Sequence, residues 1–301
     1  MTDHDSDLAS LVPPVTVTRR GFTLGSLAVG GAMGMGFAVA ALPVRAETRV
    51  TTDATGLDEG RFTLPVAGFD VPCYSARPAG GTMLPTVLVA PEIFGLHEHI
   101  ADVCRRLAHQ GFLAVSFDPF ARQGDVATLP NVQTIISTVV SKVPDAQVMA
   151  DLDAIAAHAG STLGGDPTKL GITGFCWGGR ITWLYTAHND AVKAGVAWYG
   201  RLVGAASDLT PRQPVDVAGD LSGPVLGLYG GADNGIPVET VEQMRQALAA
   251  AGTPAAASSE IVVYPDTPHA FNADYRPSFR PEAAADGWAR CLAWFRDHGV
   301  A

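Results

Sequence analysis

Cys176 stands between two glycines in the segment Gly174-Phe175-Cys176-Trp177-Gly178. An apolar run, Leu170–Phe175, precedes it, and a helical pattern over Ile181–Thr186 follows. Glycines two residues to either side of a nucleophile mark a sharp strand-to-helix turn, in which a Cβ at those places would collide with the strained chain. Such a turn lifts the sulfur above the sheet and sets it at a helix N-terminus, whose positive end favours thiolate. It also aims the backbone N–H of Trp177 at a developing oxyanion. A dinucleotide-binding loop is the competing use of glycines after a strand, but the Gly-x-Gly-x-x-Gly spacing is absent. A buried structural cysteine is the other.

A nucleophilic cysteine needs a base, and the base needs a group to orient it. Asp233 follows the apolar run Val225–Tyr229 in Gly230-Gly231-Ala232-Asp233-Asn234, and His269 follows Ile261–Tyr264 in Pro265-Asp266-Thr267-Pro268-His269. Both sit just past the carboxyl ends of expected strands, as Cys176 does, in the order nucleophile, acid, histidine. Asp266 is a rival acid whose closeness to His269 in sequence suits a turn-shaping role. Asp208, Asp216 and Asp220 fall in a proline-rich stretch with no strand end to place them. The remaining histidines outside the first residues (His97, His99, His109, His158, His188 and His298) lie on or beside expected helices and read as surface.

Positioning these residues takes a layered fold. Two short strands, Arg61–Leu64 and Val71–Ala76, form an antiparallel lead-in after a polar linker over Thr51–Gly60. Thr86–Ala90 is a continuous apolar strand of the kind buried on both faces of a parallel sheet. Helical spacing over Glu98–Ala108 and a strand at Phe112–Phe117 follow. A helix at Asp145–His158, a Gly-Pro turn at 164–167 and strands at Leu170–Phe175 and Val192–Trp198 come next. Helices at Val238–Ala251 and Pro281–His298 flank the last strand, Ile261–Tyr264. Strands alternating with helices predict an α/β fold, a mostly parallel, doubly wound sheet covered on both faces. No break in composition divides residues 47–301, which are expected to form one domain.

The 301 residues are 47% hydrophobic and 17% charged, an ordinary globular composition. A net charge of -10 without a basic cluster argues against nucleic acid as a partner and leaves a small molecule as the expected one. The four cysteines, Cys73, Cys104, Cys176 and Cys291, match no metal-site spacing, and no cofactor is expected. Cys104 and Cys291 fall on apolar helix faces and read as buried thiols. Residues 1–46 read as a leader: Arg19-Arg20 precede a Gly- and Ala-rich apolar run from Leu24 to Leu42, which ends in Val44-Arg45-Ala46. Paired arginines before a weakly apolar stretch indicate a twin-arginine export signal and a periplasmic or secreted protein. The alternative is a retained membrane anchor.

With these segments in view, the chain resembles the dienelactone hydrolase (carboxymethylenebutenolidase) family, of the α/β-hydrolase fold, over residues 58–298. The resemblance rests on Ala90-Pro91-Glu92-Ile93-Phe94-Gly95, Asp118-Pro119-Phe120-Ala121-Arg122, the Cys176 segment through Gly179, and Pro268-His269-Ala270-Phe271. It implies a Cys176–His269–Asp233 triad and an oxyanion hole from the N–H groups of Ile93 and Trp177. It further implies that Glu92 holds the resting thiol, that Arg122 binds a substrate carboxylate, and that Tyr199 is an aromatic near the pocket. Arg122 could instead pair with Asp118 or Asp125. Ala273 stands where the family carries a second arginine, with Arg276 and Arg280 nearby. The expected activity is hydrolysis of carboxylic ester or lactone bonds through a thioester acyl-enzyme. A general exported esterase or thioesterase, or a non-catalytic binding protein on the same fold, are the other readings.

Overall fold

The computed structural model describes residues 51–301; the expected leader and its cleavage site lie outside the described residues. Eight strands form one sheet: β1 (Leu57–Val66), β2 (Phe69–Pro78), β3 (Leu84–Ala90), β4 (Leu113–Phe117), β5 (Gly165–Phe175), β6 (Val192–Trp198), β7 (Val225–Gly230) and β8 (Glu260–Tyr264). Their order across the sheet is β1-β2-β4-β3-β5-β6-β7-β8. Only β1 and β2 run antiparallel to their neighbours, so the lead-in is a hairpin joined to a parallel sheet. That hairpin is longer than the apolar pattern shows, because the polar, exposed residues at its start still complete its ladder.

The helices are α1 (Glu98–Ala108), α2 (Val132–Thr138), α3 (Asp145–Ser161), α4 (Trp177–His188), α5 (Val238–Ala251), α6 (Pro254–Ser258) and α7 (Pro281–Asp297). They cover both faces of the sheet. Successive side chains of β3 feed different cores: Val87 and Val89 join one apolar cluster, Leu88 and Ala90 the other. This is the double burial that a continuous apolar run demands.

The long helices match their apolar periodicity, and α5 ends where Gly252 takes the left-handed conformation. Strand β5 begins earlier than expected, since Gly165 pairs with Leu84 across an irregular register. Local pattern does not announce the short helices α2 and α6 or the single-turn helices at Val126–Thr128, Val140–Lys142 and Pro214–Val217. In α2 the start is set by Asn131, whose side chain accepts from the Thr134 N–H at 2.9 Å. Cys73, Cys104 and Cys291 are buried, and all four thiols are free.

Candidate active site

Sheet order decides which loops meet. Strands β3, β5, β6, β7 and β8 are consecutive neighbours, and their carboxyl ends carry Glu92 and Ile93, Cys176, Tyr199, Asp233 and His269 respectively. Residues 176 positions into the chain and 93 positions beyond it thus share one rim, the usual place for a site in a parallel sheet.

Cys176 occupies the turn between β5 and α4 with φ 56° and ψ -115°, a conformation that costs a non-glycine residue on the order of 1–3 kcal/mol. The turn is held by the Cys176 N–H donating to Trp198 O at 3.0 Å and by Gly179 N–H donating to Cys176 O at 3.0 Å. The flanking glycines are dictated by contact. A Cβ on Gly174 would lie 2.1 Å from Gly178 O, and one on Gly178 would lie 2.1 Å from Ala90 O. Cys176, Tyr199 and Ala270 are three of the six non-glycine residues with positive φ among the described residues, so backbone strain concentrates around the site.

His269 is buried, and its Nδ1 lies 2.6 Å from Asp233 Oδ2. Asp233 is itself fixed, with Oδ1 accepting from Gly235 N–H at 2.9 Å and Ile236 N–H at 3.2 Å. Asp266, in contrast, is exposed in a turn at φ 53°. Of the two carboxylates, it is Asp233 that lies against the imidazole. Nε2 of His269 is buried without a hydrogen-bond partner among the described residues. Burial opposes a charge on this imidazole, but the Asp233 carboxylate and the Cys176 sulfur outweigh it and hold its pKa well above the usual histidine range. The backbone N–H groups of Ile93 and Trp177 have no acceptor among the described residues, and both residues line the same cavity as Cys176 and His269.

Tyr199 packs edge-on to the His269 ring, with centroids 5.0 Å apart. It is fully buried and lines the cavity, and its hydroxyl has no partner among the described residues. Tyr199 thus brings an aromatic ring and a hydroxyl to the wall of the cavity that Cys176 and His269 line.

Glu92 comes to the site but not to the sulfur. It is 2% exposed, accepts from Tyr275 OH at 2.6 Å and lies 3.3 Å from His97 Nε2. Arg276 donates through Nε to Tyr275 OH at 3.1 Å, and its guanidinium covers the Phe94 ring. Burial alone would push the Glu92 carboxyl up, but the His97 hydrogen bond and the Arg276 charge hold it well below the usual carboxylate range. No hydrogen bond joins it to Cys176 among the described residues. His97 and His99, read as surface from their helical setting, therefore line the environment of Glu92; His99 is buried beside Tyr275, ring centroids 5.0 Å apart. Tyr275 and Arg276 lie in an irregular stretch after His269 where no periodicity shows a direction. Arg280, the other arginine of that stretch, precedes α7 and is exposed.

Arg122 is not part of this cavity. Its guanidinium forks onto Asp151 of α3, with Nη1–Oδ2 at 2.5 Å and Nη2–Oδ1 at 2.7 Å. It also donates to Val66 O at 3.1 Å and lies over the Phe69 ring. The expectation of a substrate-carboxylate site at Arg122 is corrected for this reason. Its charge is already met by a buried carboxylate, neither Asp118 nor Asp125, and the pair ties the β1–β2 turn to α3.

Comparison with known proteins agrees with this architecture. The sequence profile of the dienelactone hydrolase family matches residues 71–299. A Methylorubrum extorquens protein assigned as a carboxymethylenebutenolidase is 58% identical over 301 residues, all of both chains. An Escherichia coli protein with the same assignment is 54% identical over 265 residues, 88% of this chain and 96% of its own. A crystal structure from Klebsiella pneumoniae, assigned as a dienelactone hydrolase, superposes with a TM-score of 0.76 at 56% identity, covering 80% of this chain and 98% of that one.

Proposed function

The chain belongs to the dienelactone hydrolase family, with its α/β-hydrolase fold and its lactone or ester hydrolase activity, and on that premise we propose that it acts through a thioester acyl-enzyme on Cys176. His269 takes the thiol proton through Nε2, while Asp233 fixes its tautomer through Nδ1. The thiolate attacks the carbonyl carbon, and the resulting oxyanion is received by the N–H groups of Ile93 and Trp177. Collapse breaks the acyl–oxygen bond, and the leaving alkoxide takes the proton from His269. A water molecule, deprotonated by His269, then attacks the thioester. The carboxylic acid departs and the thiol is restored.

The observation that carries this reading is the oriented histidine: Nδ1 lies 2.6 Å from Asp233, and the strained Cys176 acts on the same imidazole. Purified protein assayed on p-nitrophenyl esters and lactones should turn over substrate and accumulate an acyl adduct on the Cys176 peptide by mass spectrometry. Binding of these compounds with no turnover would instead identify a non-catalytic binding protein. Residual turnover after alkylation of Cys176 would remove the cysteine from the mechanism.

We further propose that residues 47–301 are a single mature domain and that residues 1–46 export it by the twin-arginine route. Arg19-Arg20 and the short apolar run after them support export. Replacing both arginines by lysine should leave the precursor in the cytoplasm, and the exported protein should begin near Glu47. An intact leader in purified membranes would favour the anchor.

A further inference from the structure

The cavity that Cys176 and His269 line has a volume of about 300 Å3, and α2, the turn after it and the loop 201–213 supply much of its wall. Tyr199, the first residue past β6, lines it too and is fully buried. Three rings fix its own: His269 with centroids 5.0 Å away, Phe271 at 5.2 Å and Phe175 at 6.3 Å. The backbone is fixed as well. Tyr199 holds φ 38°, strained for an aromatic residue, while its N–H donates to Leu228 O at 2.8 Å.

A side chain held this firmly carries a hydroxyl that no described residue meets. Among the described residues, two buried side-chain atoms of the cavity lining are without a partner, Tyr199 Oη and His269 Nε2. An unmet buried polar group costs stability, and a group kept at that cost calls for a use. Nε2 has one as the base. Burial first, then the Glu92 carboxylate, the Tyr275 phenol and the Cys176 sulfur, push the ionisation of Tyr199 well above the usual tyrosine range, so it keeps its proton and can only donate to an anion.

Sheet order indicates which anion. The Ile93 N–H comes from the β3 side of Cys176 and the Trp177 N–H from the elbow, which gives the oxyanion two donors. Tyr199 comes from β6, on the other side of β5, and packs against the imidazole that protonates the leaving oxygen. That oxygen otherwise meets His269 alone.

We propose that the Tyr199 hydroxyl is a further catalytic group, which donates a hydrogen bond to the leaving-group oxygen while His269 protonates it. The proposal rests on the hydrolase reading of this site and adds a residue to it. Once the Cys176 sulfur has bonded to the carbonyl carbon, collapse of the adduct re-forms the carbonyl and breaks the carbon–oxygen bond. The electron pair goes to the leaving oxygen, which takes the His269 proton. Tyr199 keeps its own proton and stabilises the negative charge as it develops. The water that then attacks the thioester occupies the same place between the two groups.

The test compares wild type with Tyr199→Phe, which keeps the ring and removes the hydroxyl. Substrates are the acetates of p-nitrophenol, phenol and ethanol, with S-ethyl thioacetate. The acyl group is constant and kcat/KM reports its transfer to Cys176, so only the leaving atom varies. The loss in the variant should grow with the basicity of the leaving oxygen. It should run from about threefold for p-nitrophenyl acetate to on the order of a hundredfold for ethyl acetate, the range of one hydrogen bond to a developing charge. S-Ethyl thioacetate should lose no more than about threefold, because sulfur is a weak acceptor. The variant's Tm should match or exceed that of wild type, since no hydrogen bond within the protein is removed. A loss uniform across the series, thioester included, would assign the hydroxyl to the oxyanion or to packing and overturn the proposal. No loss at all, a Tm lowered by several degrees or failure to fold would overturn it too. Those outcomes need an active wild type; a wild type inactive on every ester would instead overturn the hydrolase reading, and the proposal with it.

Discussion

Cys176→Ala should leave no measurable hydrolysis, and His269→Ala should lower kcat by on the order of 10³-fold or more. The two losses should not add in the double variant, because thiol and imidazole act as one proton-transfer unit. Asp233→Asn should cost on the order of 10²–10⁴-fold. The carboxylate now accepts from Nδ1 at 2.6 Å and keeps the other nitrogen free to receive the thiol proton. An amide nitrogen presented to Nδ1 would favour the opposite tautomer and would withdraw the charge that keeps the imidazole's pKa high. Asp266→Asn is the control: its carboxylate is exposed, and its loss should change kcat less than about threefold. An Asp266 variant more damaging than the Asp233 variant would overturn the assignment of the acid. Far-ultraviolet circular dichroism on each variant separates lost chemistry from lost fold.

Glu92→Gln should produce the second large effect, through stability and thiol reactivity together. The carboxylate is buried against Tyr275 and His97, within the field of the Arg276 guanidinium, and neutralising it removes a negative charge that acts on that cation. Losing a buried charge that accepts these hydrogen bonds costs on the order of 1–3 kcal/mol. Because the folded-state pKa of Glu92 lies below its unfolded value, this stabilisation is present above the unfolded value of about 4.3. It is lost as pH falls through the depressed folded value. The Tm gap between wild type and Glu92→Gln should therefore be full at neutral pH and close on acidification. A gap that widens in acid would contradict the charged pairing.

The same carboxylate bears on the sulfur, since a fixed negative charge in a low-dielectric pocket raises the cost of a thiolate beside it. The role that the resemblance implies for Glu92, holding the thiol in the resting enzyme, would then act through this field rather than through a direct bond. Iodoacetamide should label Cys176 faster in Glu92→Gln than in wild type at the same pH, while turnover falls as Arg276 and Tyr275 lose their alignment. Unchanged labelling would remove Glu92 from control of the thiol. Tyr275→Phe separates the contributions: it removes one hydrogen bond to the carboxylate but leaves its charge, so it should destabilise less and should not accelerate labelling.

What could be read from the amino-acid order was everything carried by local pattern. The apolar run at Thr86–Ala90, the periodicity of Glu98–Ala108 and the glycines around Cys176 each encode their geometry within a few residues. Backbone sterics and side-chain period act over that range. The loop ends bearing Asp233 and His269 were legible for the same reason, as polar residues just past apolar strands. The side-chain direction of Arg122 was not. Its position past β4 suited a rim residue, but Asp151, 29 positions away on α3, offered a buried fork that the local chain does not announce. His97 looked like surface because it lies beside a helix, yet folding brings Tyr275 and Glu92 against it. The cavity wall depended most on the tertiary structure. Short α2 and the irregular loop 201–213 have too little periodicity to show a face, and the loop is placed by Arg180 of α4, which binds Asp145 and Gln213 at once, and by the Asp145 N–H donating to Leu209 O. The reacting groups are thus determined by local sequence, whereas what surrounds the substrate is decided by long-range ion pairs and packing, whose partners are chosen by the fold.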